Sequence, residues 1–186
     1  MPKKAVCGML KTDRLLIRRF LPGDAEALFE YLSDPGVVRF EPYGVFSMKE
    51  CEKEAERRAK DEAFFAVCLN ENGKLIGNLY VQRQEFDTWE LGYVFNAAYQ
   101  GKGFALESAR ALIQHIIAVH HARRIVAYCN PENEKSWRLM ERLGMRREGH
   151  LIQSVYHKKD ENGCPIWHDT YEYAILASQW QSGRPD

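Results

Sequence analysis

The chain has 186 residues, of which 45% are hydrophobic, and its 26 lysines and arginines are balanced by 26 aspartates and glutamates. The apolar content excludes a disordered chain, and the length fits a single domain over residues 1–186 better than two. The neutral net charge argues against a dedicated nucleic-acid-binding protein, because such proteins carry a basic excess.

The five cysteines are scattered along the chain and include no C-x-x-C pair. An odd number at such spacings favours free thiols in a reducing compartment over a disulfide framework or a zinc site, so no metal is expected. No apolar run resembles a secretion signal or approaches the roughly 20 residues needed to span a bilayer. We therefore expect a cytoplasmic protein with no membrane partner. The cysteines are Cys7, Cys51, Cys68, Cys129 and Cys164.

The first part of the chain combines strand and helix patterns. Residues 13–20, DRLLIRRF, mix apolar and basic residues as a strand with one solvated face does. Residues 22–34 predict a helix with Asp24 as its N-cap. A second helix is predicted over 47–61, because the S-x-x-E spacing of a capping box begins at Ser47.

Three strands are predicted next, over 64–70, 74–83 and 89–96, and their short connections indicate an antiparallel meander. A long helix over 103–121 and a short strand over 124–130 follow. A long helix between two strands is the pattern of a parallel crossover. The apolar positions expected on the buried face of this helix are Ala105, Ala109, Leu112, Ile116 and Val119.

The C-terminal part predicts a helix over 133–145, which Gly144 ends, and two strands over 147–158 and 167–180. No internal repeat or low-complexity linker interrupts the chain. The simplest account is an α/β fold in which helices flank a mixed, mostly antiparallel sheet of about seven strands.

The segment YQGKGFALESA (99–109) places two glycines immediately before the long helix. The first turn of a helix leaves N–H groups without partners and carries the positive end of the helix dipole, and together these attract an anion. Glycine has no Cβ, so a ligand can approach the backbone. Gly101 and Gly103 therefore suit phosphate binding over 101–105, with Lys102 as a cation at the rim. A plain loop-to-helix turn is the alternative.

Two other phosphate-binding motifs fit poorly. The chain lacks the G-x-x-x-x-G-K-[ST] sequence of a P-loop. The dinucleotide fingerprint G-x-G-x-x-G requires a third glycine where Leu106 stands. That fingerprint also follows a parallel strand, whereas an antiparallel meander precedes the glycines here.

The same residues resemble a known family. QGKGFA (100–105) matches the Q/R-x-x-G-x-G/A pattern of GNAT-superfamily acyltransferases. Segments 89–109 and 130–149 resemble its ribosomal-protein N-terminal acetyltransferase-like (Rim-type) branch, in which an N-x-x-N-x-x-S helix is followed by L-G-[FM]. The opening and closing segments also fit, so the resemblance covers about residues 10–180.

This resemblance implies a sheet splayed between its fourth and fifth strands, here 89–96 and 124–130, and acetyl-CoA as a co-substrate. The pantetheine arm is then expected in the gap, and the pyrophosphate on backbone N–H groups of Gly101 to Ala105 near Gln100. The glycines would let phosphate oxygens reach the amides. The cofactor-binding residues that the resemblance implies are Tyr93, Val94, Phe95, Gln100, Gly101, Lys102, Gly103, Phe104, Ala105, Asn130 and Asn133.

Acyl transfer from a thioester to an amine needs a neutral amine, a donor for the developing oxyanion and a proton for the departing thiolate. Glu90 is the candidate base because it lies on the strand bordering the expected cleft, and a structural carboxylate is the alternative. The resemblance implies a backbone N–H near Tyr93–Phe95 as the oxyanion donor. Because side chains alternate along a strand, we expect at most one of two sets to face the cleft. One set is Trp89, Tyr93 and Phe95, and the other is Glu90, Gly92 and Val94.

The resemblance makes Ser136 the candidate donor to the thiolate and has Asn133 hydrogen-bond CoA. Many superfamily members have a tyrosine near this helix, whereas Trp137 stands beside Ser136 in this chain. The alternative for Asn133 and Ser136 is capping of the helix N-terminus, which Asn and Ser do well.

The predicted function is acetyl-CoA-dependent N-acetylation of a primary amine by direct attack in a ternary complex. The acceptor is a protein N-terminal α-amine or a small-molecule amine. A non-catalytic acyl-CoA-binding regulatory or interaction module on the same fold is the alternative. Acceptor determinants are expected in 22–62 and in the 158–167 loop, where RFEPYGVFS (39–47) borders the acceptor groove or packs as a plain loop. A monomer and a homodimer both fit the sequence.

Overall fold

The computed structural model describes residues 9–180, which form eight strands and four α-helices. Cys7, expected to be a free thiol, lies outside the described residues. The strands are β1 (Met9–Lys11), β2 (Leu15–Arg19), β3 (Phe64–Leu69), β4 (Leu75–Arg83), β5 (Thr88–Phe95), β6 (Arg124–Cys129), β7 (Arg146–Lys159) and β8 (Pro165–Leu176). The helices are α1 (Ala25–Leu32), α2 (Met48–Lys60), α3 (Phe104–His120) and α4 (Glu134–Arg142).

All eight strands belong to one sheet in the order β1-β2-β3-β4-β5-β6-β8-β7. Every neighbouring pair is antiparallel except β5 and β6, which are parallel. The mixed, mostly antiparallel sheet is thus confirmed. It has one strand more than predicted, because β1 has three residues and carries too short a pattern to recognise.

The parallel pair β5–β6 joins only at its beginning. Thr88, Trp89 and Glu90 pair with Arg124, Ile125 and Val126, and beyond Glu90 the two strands separate. The splay expected between segments 89–96 and 124–130 is therefore confirmed, and Glu90 stands at its vertex. Backbone pairing therefore joins the two parts of the sheet only where β5 and β6 begin.

Each face of the sheet carries its own apolar core. Helices α3 and α4 pack on one face, where Leu106, Leu112 and Met140 are buried against Leu91 and other strand residues. Helices α1 and α2 cover the other face with a second core, which includes Leu28, Tyr31, Cys51, Ala55 and Val94. The gap between β5 and β6 therefore opens toward both layers of helices.

Two predicted helix signals are confirmed. Ser47 and Glu50 form a reciprocal capping box at the start of α2, with Glu50 accepting from the Ser47 N–H at 2.8 Å. Gly144 follows the last turn of α4 with a φ of 82°, and the next N–H, that of Met145, bonds the Met140 carbonyl at 3.0 Å. This is a glycine-terminated helix of the expected kind.

Two other helix expectations hold only in part. Asp24 is the N-cap residue of α1, but its carboxylate makes no capping bond there, because it accepts from the Arg18 guanidinium with two contacts of 2.8 Å. Val119 does not complete the buried face of α3 but is 44% exposed. The neighbouring His120 turns inward instead, and its ring lies 5.3 Å from that of Trp89.

Within residues 9–180, no helix has both the length and the apolar content that crossing a bilayer requires.

Candidate active site

A cleft of about 2040 Å³ occupies the gap between β5 and β6. Its walls come from the loop between α1 and α2, from β5, from the first turn of α3, from α4 and from the β7–β8 hairpin. Both Glu90 and Tyr93 line it, although they point to opposite faces of the sheet. The expectation that only one alternating set faces the cleft is therefore wrong. Because the strands separate here, the cleft passes through the sheet.

The two glycines before α3 adopt the left-handed backbone region. Gly101 has a φ of 74° and Gly103 a φ of 82°, which residues with a Cβ rarely adopt. A Cβ on Gly101 would meet no atom within 4 Å, so this position faces open space. A Cβ on Gly103 would lie 3.3 Å from an Arg14 guanidinium nitrogen. The turn thus requires glycine for its conformation at both positions.

The beginning of α3 presents backbone donors to the cleft. The Gly103 carbonyl accepts the first intrahelical bond, from the Glu107 N–H at 3.0 Å. The N–H groups of Phe104, Ala105 and Leu106 therefore precede the first helical hydrogen bond, and all three residues line the cleft. Backbone donors and the positive helix end make this turn suitable for an anion.

Arg14 fixes the glycine turn from the β1–β2 connection. Its Nε donates to the Glu107 carboxylate at 2.6 Å, and its Nη1 donates to the Lys102 carbonyl at 3.1 Å. The same carboxylate accepts from the Thr12 hydroxyl at 2.6 Å, and the guanidinium lies 4.6 Å from the centre of the Phe104 ring. Sequence reasoning missed Arg14, because it lies 93 positions from Glu107 along the chain.

Gln100 connects the end of β5 to α4. Its amide nitrogen donates to the Phe95 carbonyl at 2.9 Å, and its amide oxygen accepts from the Lys135 ammonium at 3.0 Å. The Lys102 ammonium lies 5.3 Å from the centre of the Tyr99 ring. Two lysines therefore stand near the glycine turn, where they add positive charge.

The N-x-x-N-x-x-S segment forms the start of α4. Asn130 accepts from the Glu132 N–H at 2.8 Å, and Asn133 is the N-cap that accepts from the Ser136 N–H at 3.3 Å. The capping interpretation therefore holds for Asn133. The capping interpretation does not hold for Ser136. Its Oγ lies 3.0 Å from the hydroxyl of Tyr93 on β5.

The contact between Tyr93 and Ser136 crosses the gap on the α3–α4 side. Burial raises the pKa of Tyr93, so its hydroxyl remains a donor at neutral pH. Burial also raises the pKa of Cys129, which interacts with Ser136, to about 11, and the thiol is accordingly neutral. This corner of the cleft holds three uncharged polar groups.

Glu90 lies on the other side of the gap, toward α1 and α2. Its carboxylate accepts from the Gln84 amide at 2.8 Å. Burial and the Glu90 carboxylate together raise the pKa of Tyr80, which also lines the cleft. A carboxylate at the vertex of two separating strands, open to a large cleft, is in a position to accept a proton from a bound molecule.

Below this side of the cleft lies a buried polar network that sequence reasoning missed. Arg58 of α2 is only 2% exposed, and its guanidinium donates to Glu54 at 2.7 Å and to Asn78 at 2.9 Å. The Tyr31 hydroxyl donates to the same Asn78 oxygen at 2.9 Å. The Phe64 ring lies 4.7 Å from the guanidinium carbon. A charge buried this deeply is fully engaged with partners.

Glu41 and Tyr43 of the α1–α2 loop stand between this network and the cleft, and both line it. Burial raises the pKa of Glu41 to about 7, against the opposing effects of the Tyr43 hydroxyl and the Arg58 charge. The sequence placed RFEPYGVFS (39–47) either at the groove or in a packed loop. The structure puts it at the cleft, with Glu41 titrating near neutral pH.

Comparison with known proteins yields three findings. Residues 14–146 match the acetyltransferase (GNAT) domain family. The chain is 38% identical over 173 residues to the uncharacterized N-acetyltransferase YnaD of Bacillus subtilis (strain 168), covering 92% of this chain and 98% of that protein. It is 33% identical over 104 residues to the [ribosomal protein uS5]-alanine N-acetyltransferase of Escherichia coli (strain K12), covering 56% of this chain and 50% of that enzyme.

The fold has solved counterparts. The structure of an acetyltransferase (GNAT family) from Bacillus anthracis superposes with a TM-score of 0.84 at 37% identity, covering 91% of this chain and 99% of that one. The match extends over both parts of the splayed sheet, since it includes nearly the whole of each chain.

Proposed function

The chain belongs to the acetyltransferase (GNAT) family and is an N-acetyltransferase, and from this premise we propose that it transfers an acetyl group from acetyl-CoA to a primary amine by direct attack in a ternary complex. The acceptor in this proposal is a protein N-terminal α-amine or a small-molecule amine. The observation that carries it is the gap between β5 and β6, with a backbone-donor turn at one mouth and a carboxylate at its vertex. One domain over residues 1–186 performs both tasks.

The donor side of the proposal is the face of α3 and α4. The pyrophosphate of acetyl-CoA is received by the N–H groups from Gly101 to Ala105, with Gln100 and Lys102 beside it. The left-handed glycines support this, because they leave the backbone accessible. Asn130 and Asn133 border the pantetheine arm. Acetyl-CoA is the donor used by the family, and the geometry of this turn is consistent with it.

The acceptor enters from the face of α1 and α2 and meets the thioester in the gap. Glu90 takes a proton from the amine, whose nitrogen then attacks the carbonyl carbon. The C–N bond forms, the C–S bond breaks, and its electron pair leaves on sulfur. A backbone N–H near Tyr93–Phe95 stabilises the oxyanion. The position of Glu90 at the vertex, open to the cleft, supports this role.

In this scheme the Ser136 hydroxyl donates a hydrogen bond to the departing thiolate, and the proton that the attacking nitrogen must still lose passes to the sulfur. The hydroxyl of Tyr93, 3.0 Å from Ser136 Oγ, holds that serine toward the gap. Because burial keeps the tyrosine protonated, it remains available as a donor at neutral pH. Ser136 and Tyr93 together would take the place of the tyrosine that many superfamily members have near this helix.

The test is release of free thiol from acetyl-CoA with three probes: a hexapeptide with a free N-terminal alanine, the same peptide already acetylated, and spermidine. Turnover with either free amine and none with the blocked peptide is expected. Glu90→Gln lowers kcat/KM about 10²-fold, as loss of a general base does. Ser136→Ala lowers kcat about tenfold, the effect of one hydrogen bond to a charged group.

The matched control is Glu85→Gln, which removes the same charge from an exposed position on the neighbouring turn. Its kcat/KM should equal that of the unmodified enzyme. An unchanged rate for a folded Glu90→Gln variant would exclude Glu90 as the base. Binding of acetyl-CoA without turnover of any free amine in a wider panel would contradict the proposed reaction.

In the same proposal the enzyme works in the cytoplasm. The supporting observation is that its cysteines stand as free thiols in the described residues, three of them buried, as in proteins of reducing compartments.

A further inference from the structure

The α1–α2 loop brings a further carboxylate, that of Glu41, to the cleft. Its backbone is fixed by a bond from the Glu41 N–H to the Val38 carbonyl at 3.0 Å. Glu41 is partly buried and lines the same cavity as Glu90 and Tyr93. Burial is the first cause of the raised pKa of Tyr93, and the Glu41 charge also contributes to it. Glu41 thus faces the cleft that also holds the candidate base.

Other carboxylates along this cleft are ion-paired within the protein. Glu54 bonds Arg58 at 2.7 Å, and the same carboxylate also accepts from Arg57. Glu132 bonds Arg39 at 3.2 Å at the mouth of the cleft. These pairs leave little net attraction for a further cation, because each carboxylate already has its own.

Glu41 has different surroundings. The Tyr43 hydroxyl lowers its pKa against the effect of burial, and the cation that acts on that pKa is Arg58, whose donors are directed to Glu54 and Asn78. The other titratable group packed below is Tyr31, a phenol that burial keeps neutral. The protein therefore surrounds Glu41 with neutral donors and a cation that is already engaged elsewhere. Such a carboxylate gains more from a cation that arrives with a ligand.

We propose that Glu41 is the recognition carboxylate for the acceptor: it binds the ammonium form of the incoming amine and selects acceptors that are cationic at neutral pH. This inference rests on the proposed function and adds the chemical class of its acceptor. Glu41 holds the ammonium group, and the proton leaves to Glu90 as the amine reaches the thioester. Recognition and proton removal are thereby assigned to two carboxylates.

The pKa of Glu41, which burial raises to about 7, gives the proposal a pH signature. Above pH 7 the carboxylate is ionised and attracts the ammonium group, whereas below pH 7 it is protonated and the attraction is lost. A lysine-type amine, with a pKa of about 10.4, remains protonated across this range, whereas an α-amine, with a pKa of about 7.7–8.0, loses its proton toward pH 8. For spermidine the pH dependence of recognition between pH 6 and 8 therefore belongs to Glu41, and for the peptide it is the ratio of KM between the two proteins that isolates Glu41.

The experiment measures kcat and the acceptor KM from pH 6 to pH 8.5 for the unmodified enzyme and for Glu41→Gln, using the alanine hexapeptide and spermidine. At pH 8 the substitution should raise KM about tenfold, the effect of one charge-assisted hydrogen bond. The value of kcat should stay within about twofold. The ratio of the two KM values should fall toward one at pH 6, where the native side chain is itself neutral.

Two further variants keep the result interpretable. Glu41→Asp retains the charge and should recover part of the lost affinity, which a merely structural side chain would not do. Glu52→Gln removes a carboxylate from the exposed face of α2 and should leave KM unchanged. Acetyl-CoA binding, followed by thermal shift, should be the same in all of these proteins.

Failure of this inference is distinct from failure of the proposed function. If the unmodified enzyme acetylates a free amine and Glu41→Gln has the same KM at every pH, Glu41 is not the recognition group. A drop in kcat with an unchanged KM would assign Glu41 to proton transfer and would also overturn the proposal. If the unmodified enzyme acetylates no amine, the proposed function itself is wrong.

Discussion

The two sides of the cleft, which we propose to be the donor half and the acceptor half, are built in different ways. The donor half is a backbone structure: two left-handed glycines, the first turn of α3 and the cap of α4. The acceptor half is a side-chain structure in which Arg58, Tyr31, Asn78 and Glu41 come from two helices, a strand and a loop.

This difference separates coenzyme binding, which a family shares, from acceptor recognition, which differs between its members. A coenzyme that does not vary can be held by main-chain groups, whose positions depend on a few glycines and on a helix start. An acceptor is recognised by side chains, and these can change without altering the fold. The sharpest tests therefore perturb one half and measure the other.

The largest effect is expected from Arg58→Leu. Removing this guanidinium leaves the Glu54 carboxylate with Arg57 as its cation and the buried Asn78 oxygen with the Tyr31 hydroxyl alone, which costs about 3 kcal/mol of unfolding free energy. For a chain of this size the melting temperature should fall by roughly 10 °C. Differential scanning calorimetry measures it. Acetyl-CoA affinity, measured well below the transition, should change little, because the donor half does not use Arg58.

The neighbouring residue is the control. The Arg57 side chain is 49% exposed and bonds Glu54 and Asp61 at the surface, so Arg57→Leu should cost at most about 1 kcal/mol. Equal destabilisation by both substitutions would show that the acceptor half does not depend on the buried network.

The second effect, on the donor half, is expected from Gly101→Val. A β-branched residue is strained at a φ of 74°, and its side chain would occupy the open space beside the turn. Acetyl-CoA affinity should fall about 10²-fold, which corresponds to about 2.7 kcal/mol. Isothermal titration calorimetry with acetyl-CoA provides the measurement.

Gly163→Val is the control that distinguishes backbone strain at a left-handed glycine from steric exclusion of acetyl-CoA by the new side chain. Gly163 has a φ of 79° and equally open space, but it lies in the turn between β7 and β8. It should suffer the same backbone strain and keep its acetyl-CoA affinity. A similar loss of affinity in both variants would mean that strain alone explains the effect of Gly101→Val.

The smallest effect is a gain of stability in Glu41→Gln. A carboxyl whose pKa is raised on folding binds its proton more tightly in the folded state, so its contribution to stability is present at low pH and is lost as pH rises toward 7. Replacing it with glutamine should therefore stabilise the fold by about 1–2 kcal/mol at pH 8 and by much less at pH 5. Urea unfolding at the two pH values measures this.

A less stable Glu41→Gln protein at pH 8 would identify Glu41 as a structural anchor instead. The exposed Glu52→Gln variant should show no difference between the two pH values. If Glu41→Gln stabilises the fold and also weakens acceptor binding, Glu41 behaves as a functional group that is kept at a cost to stability.

The same contrast explains what the sequence could predict. The glycine turn, the start of α3 and the N-x-x-N-x-x-S helix are contiguous segments, so residue spacing and the family resemblance are enough to locate them. The strands β5 and β6 and the gap between them are predictable as well, because a helix joining two strands has few possible arrangements.

The acceptor half could not be predicted in this way. Arg57 and Arg58 are adjacent in a highly charged helix, yet the first side chain is half exposed and the second is 1% exposed. No local pattern distinguishes them, because their burial depends on how α2 packs against α1 and on which side chain reaches Asn78 of β4. The position of Glu41 depends likewise on how the α1–α2 loop folds over the sheet. Outside the cleft, strand β1 was missed because its three residues carry too short a pattern.

Beyond Glu90, β5 and β6 turn backbone edges toward each other inside the protein. On the outside of a sheet such edges recruit other chains and promote aggregation. Between the layers of helices, these edges offer hydrogen-bond partners to a narrow ligand that carries amide groups of its own. The same enclosure shields the unpaired edges from strands of neighbouring proteins.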